Sequence, residues 1–204
     1  MSIWAIIPVK PFLQSKSRLA SILSPEERAG LSRTFLSHTL SVLTAVPAVV
    51  RTVVISRDST ALALANEHRA LTLTEIGQPS LNAALERATQ SALTSGANAV
   101  LVLPADLPHL SPDDVRQLIG EPGVDPVVII APDRHETGTN ALFVRPPGLI
   151  SYAFGAHSFQ RHQALAIRAG ARVRIRRLPN AALDVDVPDD WHLYLSRKEA
   201  SRWG

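Results

Sequence analysis

Short unbroken apolar runs alternate along this chain with longer stretches in which apolar residues recur at helical spacing. Residues 3–9 (IWAIIPV), 51–56 (RTVVIS), 71–76, 100–103, 126–131 (PVVIIA) and 141–144 read as strands. Residues 24–46 read as a long helix. Ser24 caps it, Pro25 suits its first position, Glu27 completes a capping box, and Leu31, Phe35, Thr39, Val42 and Leu43 share a face. Pro47 ends it. Residues 60–68 and 83–95 read as further helices, the second capped by Ser80. Another opens at Ser111-Pro112, one runs from about 159 to 169, and residues 188–200 form the last. Strand, helix, strand, helix is the signature of a parallel sheet with crossovers. The expected fold is therefore α/β, one domain over 1–204, with a parallel sheet covered by helices on each side.

Two other patterns refine this picture. Residues 171–178 (ARVRIRRL) place Arg172, Arg174 and Arg176 on one face of a strand and Val173 and Ile175 on the other. An edge strand whose arginines discourage pairing accounts for this, and a nucleic-acid stripe is the competing reading. Residues 183–187 (LDVDV) also alternate. As a strand they put Asp184 and Asp186 on one face, either flanking a cation or forming one solvated edge.

Candidate chemistry gathers where strands end. The run 100–103, apolar on both faces, is expected to be central, and it leads into Pro104-Ala105-Asp106-Leu107-Pro108. Asp106 then lies beyond the carboxyl end of a central strand, where open α/β sheets bind ligands. It either holds a divalent metal through oxygen or caps its own turn. The loop after the first strand carries Lys10, Lys16 and Arg18, a set that can neutralise a triphosphate or simply stand in solvent. No glycine precedes Gly30, so this is neither a Walker loop nor a dinucleotide fingerprint. Asn82, near a helix start, has the donor and acceptors to read a base edge. The loop 132–140 can wrap a phosphate or carboxylate with hydroxyls and backbone N–H groups. Gly155 permits close backbone approach, and Ser158 stands at a helix start as a cap or an anion ligand. The seven histidines show no metal-binding spacing, and Asp113 and Asp114 read as helix-start charges.

Composition narrows the setting. Cysteine is absent, which removes disulfides and thiolate chemistry and fits a cytoplasmic location. The run 3–9 is too short for a signal-peptide core, and no stretch is long enough to span a bilayer. A net charge of +3 suits an anionic ligand without requiring nucleic acid. Cations for a triphosphate together with carboxylates for magnesium form the kit of nucleotidyl transfer.

The chain also resembles a known family. Residues 7–11 (IPVKP), 16–20 (KSRLA), 81–85 (LNAAL), 104–108 (PADLP), 138–140 (GTN), 154–159 (FGAHSF) and 184–186 (DVD) look like the guanylyltransferases of deazaflavin coenzyme F-420 biosynthesis, in the same order over nearly the whole chain. The resemblance implies a nucleotide-diphospho-sugar transferase-like fold, a single-domain three-layer α/β sandwich with a mostly parallel, mixed sheet. It implies transfer of GMP from GTP to 2-phospho-L-lactate, phosphoenolpyruvate or 3-phospho-D-glycerate, with release of pyrophosphate. It implies that Lys10, Lys16 and Arg18 hold the GTP phosphates, that Asn82 lies near the guanine, and that Asp106, Asp184 and Asp186 coordinate Mg2+. Asp106, Lys16 and Arg18 are then the catalytic set, and Thr139, Gly155 and Ser158 hold the phosphorylated acid. Expected partners are GTP, the acid, the downstream transferase that attaches the product to the deazaflavin, and a second copy in a homodimer. Membrane and nucleic acid are not expected. The alternatives are a nucleotidyltransferase of the same fold acting on a molybdopterin or a sugar phosphate, and a non-catalytic nucleotide- or RNA-binding module using the arginine strand.

Overall fold

The computed structural model describes residues 2–119 and 126–200. Ile3–Val9 (β1) leads through two short 3-10 turns, Phe12–Gln14 and Ser17–Leu19, into Pro25–Thr44 (α1). Val49–Ser56 (β2), Ser59–Glu67 (α2), Leu71–Thr74 (β3), Leu81–Thr94 (α3) and Ala99–Val102 (β4) follow. The second half comprises Pro112–Leu118 (α4), Val127–Pro132 (β5), Thr139–Arg145 (β6), Ser158–Arg168 (α5), Arg172–Ile175 (β7) and Pro188–Ala200 (α6). The capping box of Ser24 with Glu27 forms as expected, and Ser111 makes a second one with Asp114.

The strands form one seven-stranded sheet in the order β3-β2-β1-β4-β6-β5-β7. Only β6 runs antiparallel to its neighbours, β4 and β5. The other pairs are parallel. Alternation within the strands divides the core. Ile3, Ala5 and Ile7 meet α1, α2 and α4 on one face, while Trp4 and Ile6 meet α3 and α5 on the other. β7 is the sheet edge, so the arginine-bearing strand is placed as the edge reading expects.

Residues 183–187 depart from expectation, for they form no strand. They lie across the carboxyl end of the sheet without regular structure, and one backbone bond, from Val185 N–H to the Asp106 carbonyl at 3.4 Å, ties them to the loop after β4. Their alternation comes instead from packing. Leu183 and Val185 are buried with Leu19, Phe35 and Tyr194, a cluster that joins the first loop to α6.

This topology sets the cleft. β1 leads through α1 to β2, towards one edge of the sheet, whereas its neighbour β4 leads through α4 to β5, towards the other edge. Connections diverge between these two strands, and a crevice opens beyond their carboxyl ends. Because β6 is antiparallel to β4, its first residues, Thr139 and Asn140, arrive at the same rim.

The basic loop is fixed from β2. Asp58 caps α2 through the Thr60 N–H at 2.9 Å and also accepts the Phe12 N–H at 2.8 Å. Burial pushes its carboxyl up, but the bonds from Thr60 and Phe12 outweigh that and hold it below its ordinary value. A depressed carboxyl adds stability above the ordinary value, and that stability is lost as pH falls through the folded one. Asp58→Asn should therefore lower the melting temperature near pH 7 and flatten its dependence between about pH 5 and pH 3. Thermal melts of both proteins across that range provide the check.

Candidate active site

The basic rim is built on strained backbone. Lys16 adopts left-handed φ of 52°, which costs a non-glycine residue about 1 kcal/mol or more. The strain turns its side chain inward. Its Nζ donates to the Val185 carbonyl at 2.6 Å and lies 3.3 Å from Asp106 Oδ2, with the Phe35 ring 5.5 Å away. This ammonium is almost fully buried and joins the basic loop to the acidic rim. Lys10 is exposed at the carboxyl end of β1. Arg18, also exposed, donates to Asp186 Oδ2 at 2.9 Å.

The acidic rim joins two distant segments. Asp106 side-chain oxygen meets Lys16, and no bond of Asp106 to its own turn is found among the described residues. Asp184 is largely buried beside it. Burial first, then the Asp106 charge, push the Asp184 carboxyl up to about 6, against a lowering bond from Asn140. Asn140 Nδ2 donates to Asp184 Oδ1 at 3.3 Å and to the Ala181 carbonyl at 3.0 Å. Asp190, in the first turn of α6, accepts the N–H groups of Asp186 and Val187 and pairs with Arg134 at 2.8 Å. Two carboxylates this close, one desolvated, offer hard oxygen donors of the kind a divalent cation takes. Asp106 and Asp184 fit such an ion. Asp186 is turned aside to Arg18, and among the described residues no three carboxylate or imidazole groups are clustered as a metal site.

A cavity of about 530 Å³ opens between these rims. Lys10, Lys16, Asp106 and Asp186 line it on the β1–β4 side. Arg57, Glu75 and Leu81 line it where β2, β3 and α3 meet. Glu75 Oε1 accepts from Arg57 at 3.3 Å and from the Ser80 N–H at 3.2 Å. Asn82 does not line this cavity. Its amide is committed on both sides to Phe154, accepting the backbone N–H at 2.9 Å and donating to the carbonyl at 3.3 Å.

The residues expected to hold an acid stand on the other side of β4. The loop 132–140 already wraps a carboxylate, its own: Asp133 accepts the N–H groups of His135, Thr137 and Gly138. Those backbone donors are thus spent internally, contrary to the expectation that they serve a ligand. Thr139 and Ser158 are buried and joined, the Thr139 N–H donating to Ser158 Oγ at 2.9 Å. Ser158 is the first residue of α5 and not its cap, which is His157. Gly155 is exposed, with φ of 118° that only glycine adopts without strain. None of the three lines the 530 Å³ cavity.

Sequence reading overlooked Asn140, Asp190 and Asp58 as supports for the site. The signal for Asp190 was present, an acid two residues after a helix-opening proline, as was that for Asp58, an acid just before Ser-Thr at a helix start. Asn140 stood within the 138–140 motif, but nothing local pointed to its partner Asp184, 44 residues away.

The sheet order and the cleft beyond β1 and β4 define a nucleotide-diphospho-sugar transferase-like α/β fold. A structure described as a nucleotide-diphospho-sugar transferase, from Desulfovibrio desulfuricans, superposes with a TM-score of 0.75 at 18% identity, covering 95% of this chain and 87% of that one. A nucleotidyl transferase from Methanothermobacter superposes at 0.68 and 15% identity, with 98% and 99% covered. The chain belongs to the family described as "Guanylyl transferase CofC like", whose model matches residues 3–196. A relative from Rubrobacter xylanophilus named phosphoenolpyruvate guanylyltransferase is 43% identical over 98% of this chain and 95% of its own. Another of that name, from Conexibacter woesei, is 39% identical over 93% and 86%. Membership favours an enzyme over the RNA-binding alternative. No helix among the described residues is long and apolar enough to cross a membrane.

The knot on Asp133 leaves no room at its last residue. A Cβ at Gly138 would stand 2.6 Å from Asp133 Oδ2, which the Gly138 N–H and the Thr137 hydroxyl hold in place. Gly138→Ala should lower stability by about 1–3 kcal/mol in urea denaturation, while Asp133→Ala combined with Gly138→Ala should lose no more than Asp133→Ala alone.

Proposed function

We propose that this protein transfers GMP from GTP to a small phosphorylated carboxylic acid in coenzyme F-420 biosynthesis, releasing pyrophosphate. Phosphoenolpyruvate is the first acceptor to test, because relatives at 43% and 39% identity carry that activity in their names. 2-Phospho-L-lactate and 3-phospho-D-glycerate are the others. The observation that carries the reading is the buried Lys16 ammonium, in contact with Asp106 and the segment 183–187 at the mouth of a cavity large enough for a nucleotide.

In this reading a phosphate oxygen of the acid attacks the α-phosphorus of GTP in line. The bond from that phosphorus to the oxygen bridging the β-phosphorus breaks, and pyrophosphate leaves. The attacking oxygen is already anionic, so no protein base is required. Lys10, Lys16 and Arg18 neutralise and orient the triphosphate. Asp106 and Asp184 would hold Mg2+, joined by Asp186 on its release from Arg18; bound there, the metal supplies charge neutralisation at the phosphate oxygens. Thr139, Gly155 and Ser158 would hold the acid.

Guanine presents two adjacent N–H donors and one carbonyl acceptor. Glu75 and Arg57, at the far side of the cavity, offer the complementary acceptor and donors. Asn82 then serves the site by clamping residue 154 and does not itself read the base.

Supplying purified protein with magnesium, GTP and each acid in turn should release pyrophosphate with at least one acid; release with none refutes the proposal. Asp106→Asn should cut kcat about a hundredfold or more while leaving the circular-dichroism spectrum unchanged. Lys16→Ala should raise KM for GTP at least about tenfold. Glu75→Gln should narrow the preference for GTP over ATP and CTP, read as the ratio of kcat/KM values.

A further inference from the structure

We infer that His162 is a positioning residue for the phosphorylated acid, a single-tautomer imidazole that grips Thr139 on one side and the backbone ahead of Gly155 on the other, so that Thr139 presents its hydroxyl hydrogen to the acid. The identity of that ligand rests on the function proposed above.

His162 is fully buried on α5, one turn after Ser158. The Ala153 N–H donates to its Nε2 at 3.0 Å. A peptide N–H only donates, so Nε2 must carry the lone pair. In the neutral ring the hydrogen is then on Nδ1, which lies 3.0 Å from Thr139 Oγ1 and donates to it. Burial, and then the charge of Arg161, hold the imidazole down to about 4, so the ring is neutral through the physiological range. With both ring nitrogens spoken for, His162 has no free lone pair to take a proton from substrate. It acts through its neighbours.

The consequences fall on two hydroxyls. Thr139 Oγ1 accepts from His162, and among the described residues it makes no other hydrogen bond, so its own hydrogen remains to be donated. Ser158 Oγ accepts the Thr139 N–H, and its hydrogen is likewise available. Two adjacent O–H donors oriented in this way suit an anionic oxygen, carboxylate or phosphate. The same imidazole also fixes the approach to Gly155. Residues 153 and 154 are held by His162 from one side and by the Asn82 amide from the other, with the Phe154 ring edge-on to His162 at 4.7 Å.

Two measurements test this. In protein labelled with 15N-histidine, His162 should show the proton on Nδ1, unchanged from pH 8 down to about pH 5. A proton on Nε2, or an imidazolium at neutral pH, overturns the inference whatever the substrate. In steady-state kinetics, His162→Gln, which keeps an acceptor for Ala153 but does not reach Thr139, should raise KM for the acid roughly tenfold with KM for GTP within about twofold. His162→Asn, which keeps an N–H near the Nδ1 position, should recover part of that loss. Thr139→Val should match His162→Gln, and the double variant should be no worse than Thr139→Val alone. Fully additive losses, or parallel rises in both KM values, overturn it. If His162→Gln does not fold, His162→Asn with Thr139→Val and Thr139→Ser completes the same cycle. A wild type that releases no pyrophosphate with any acid refutes the proposed function and the substrate half of this inference together, while the tautomer is read independently.

Discussion

The Lys16 ammonium is the constraint on which the cleft depends. Removing a charge from water costs several kcal/mol unless polar partners replace the lost hydration. Here the replacements come from two separate places, the Asp106 carboxylate beyond β4 and the Val185 carbonyl of the segment crossing the sheet. The two contacts together require the basic loop, the β4 loop and residues 183–187 to be in position. The left-handed backbone at Lys16 is tolerated because these contacts, together with the Phe35 ring, over-determine it. Around this point Leu19, Phe35, Leu183, Val185 and Tyr194 exclude water, so apolar packing and charge pairing fix the same junction.

The sheet divides the labour. On one side of the β1–β4 line, β2 and β3 carry Arg57, Asp58 and Glu75, which shape the cavity and anchor the basic loop. On the other side, β6 and α5 carry Thr139, Ser158 and His162. The antiparallel course of β6 makes this possible, since a parallel strand would deliver its last residues and not its first to the rim. Asn82 spans the division by reaching from α3 to Phe154. A shift of the loop 153–155 is thereby felt at the start of the helix beside the cavity.

Local rules recovered most of the architecture from sequence. The caps at Ser24, Ser80 and Ser111 form where the pattern places them, and β1 has the predicted bounds. Asp106 stands beyond a central strand because an apolar run closed by two prolines permits little else. The failures share a cause. The alternation of residues 183–187 was real, but its period reports burial against side chains and not a ladder. The polar loop 132–140 was legible as a carboxylate-wrapping turn, but the carboxylate is Asp133 from within the loop. Asn82 and His162 have partners far along the chain or across the site, and no local spacing encodes such pairings.

The contact between Lys16 and Val185 joins residues 169 positions apart. Loop closure over such a span opposes early formation, and a chain made from its amino end produces Val185 long after Lys16. The nascent polypeptide can therefore pair β1 with β2 and cover them with α1 long before the Lys16 side chain has its carbonyl acceptor. Until then the loop around Lys16 lacks this carbonyl tether, so the basic rim sets late. Its completion coincides with the burial of α6 against Phe35.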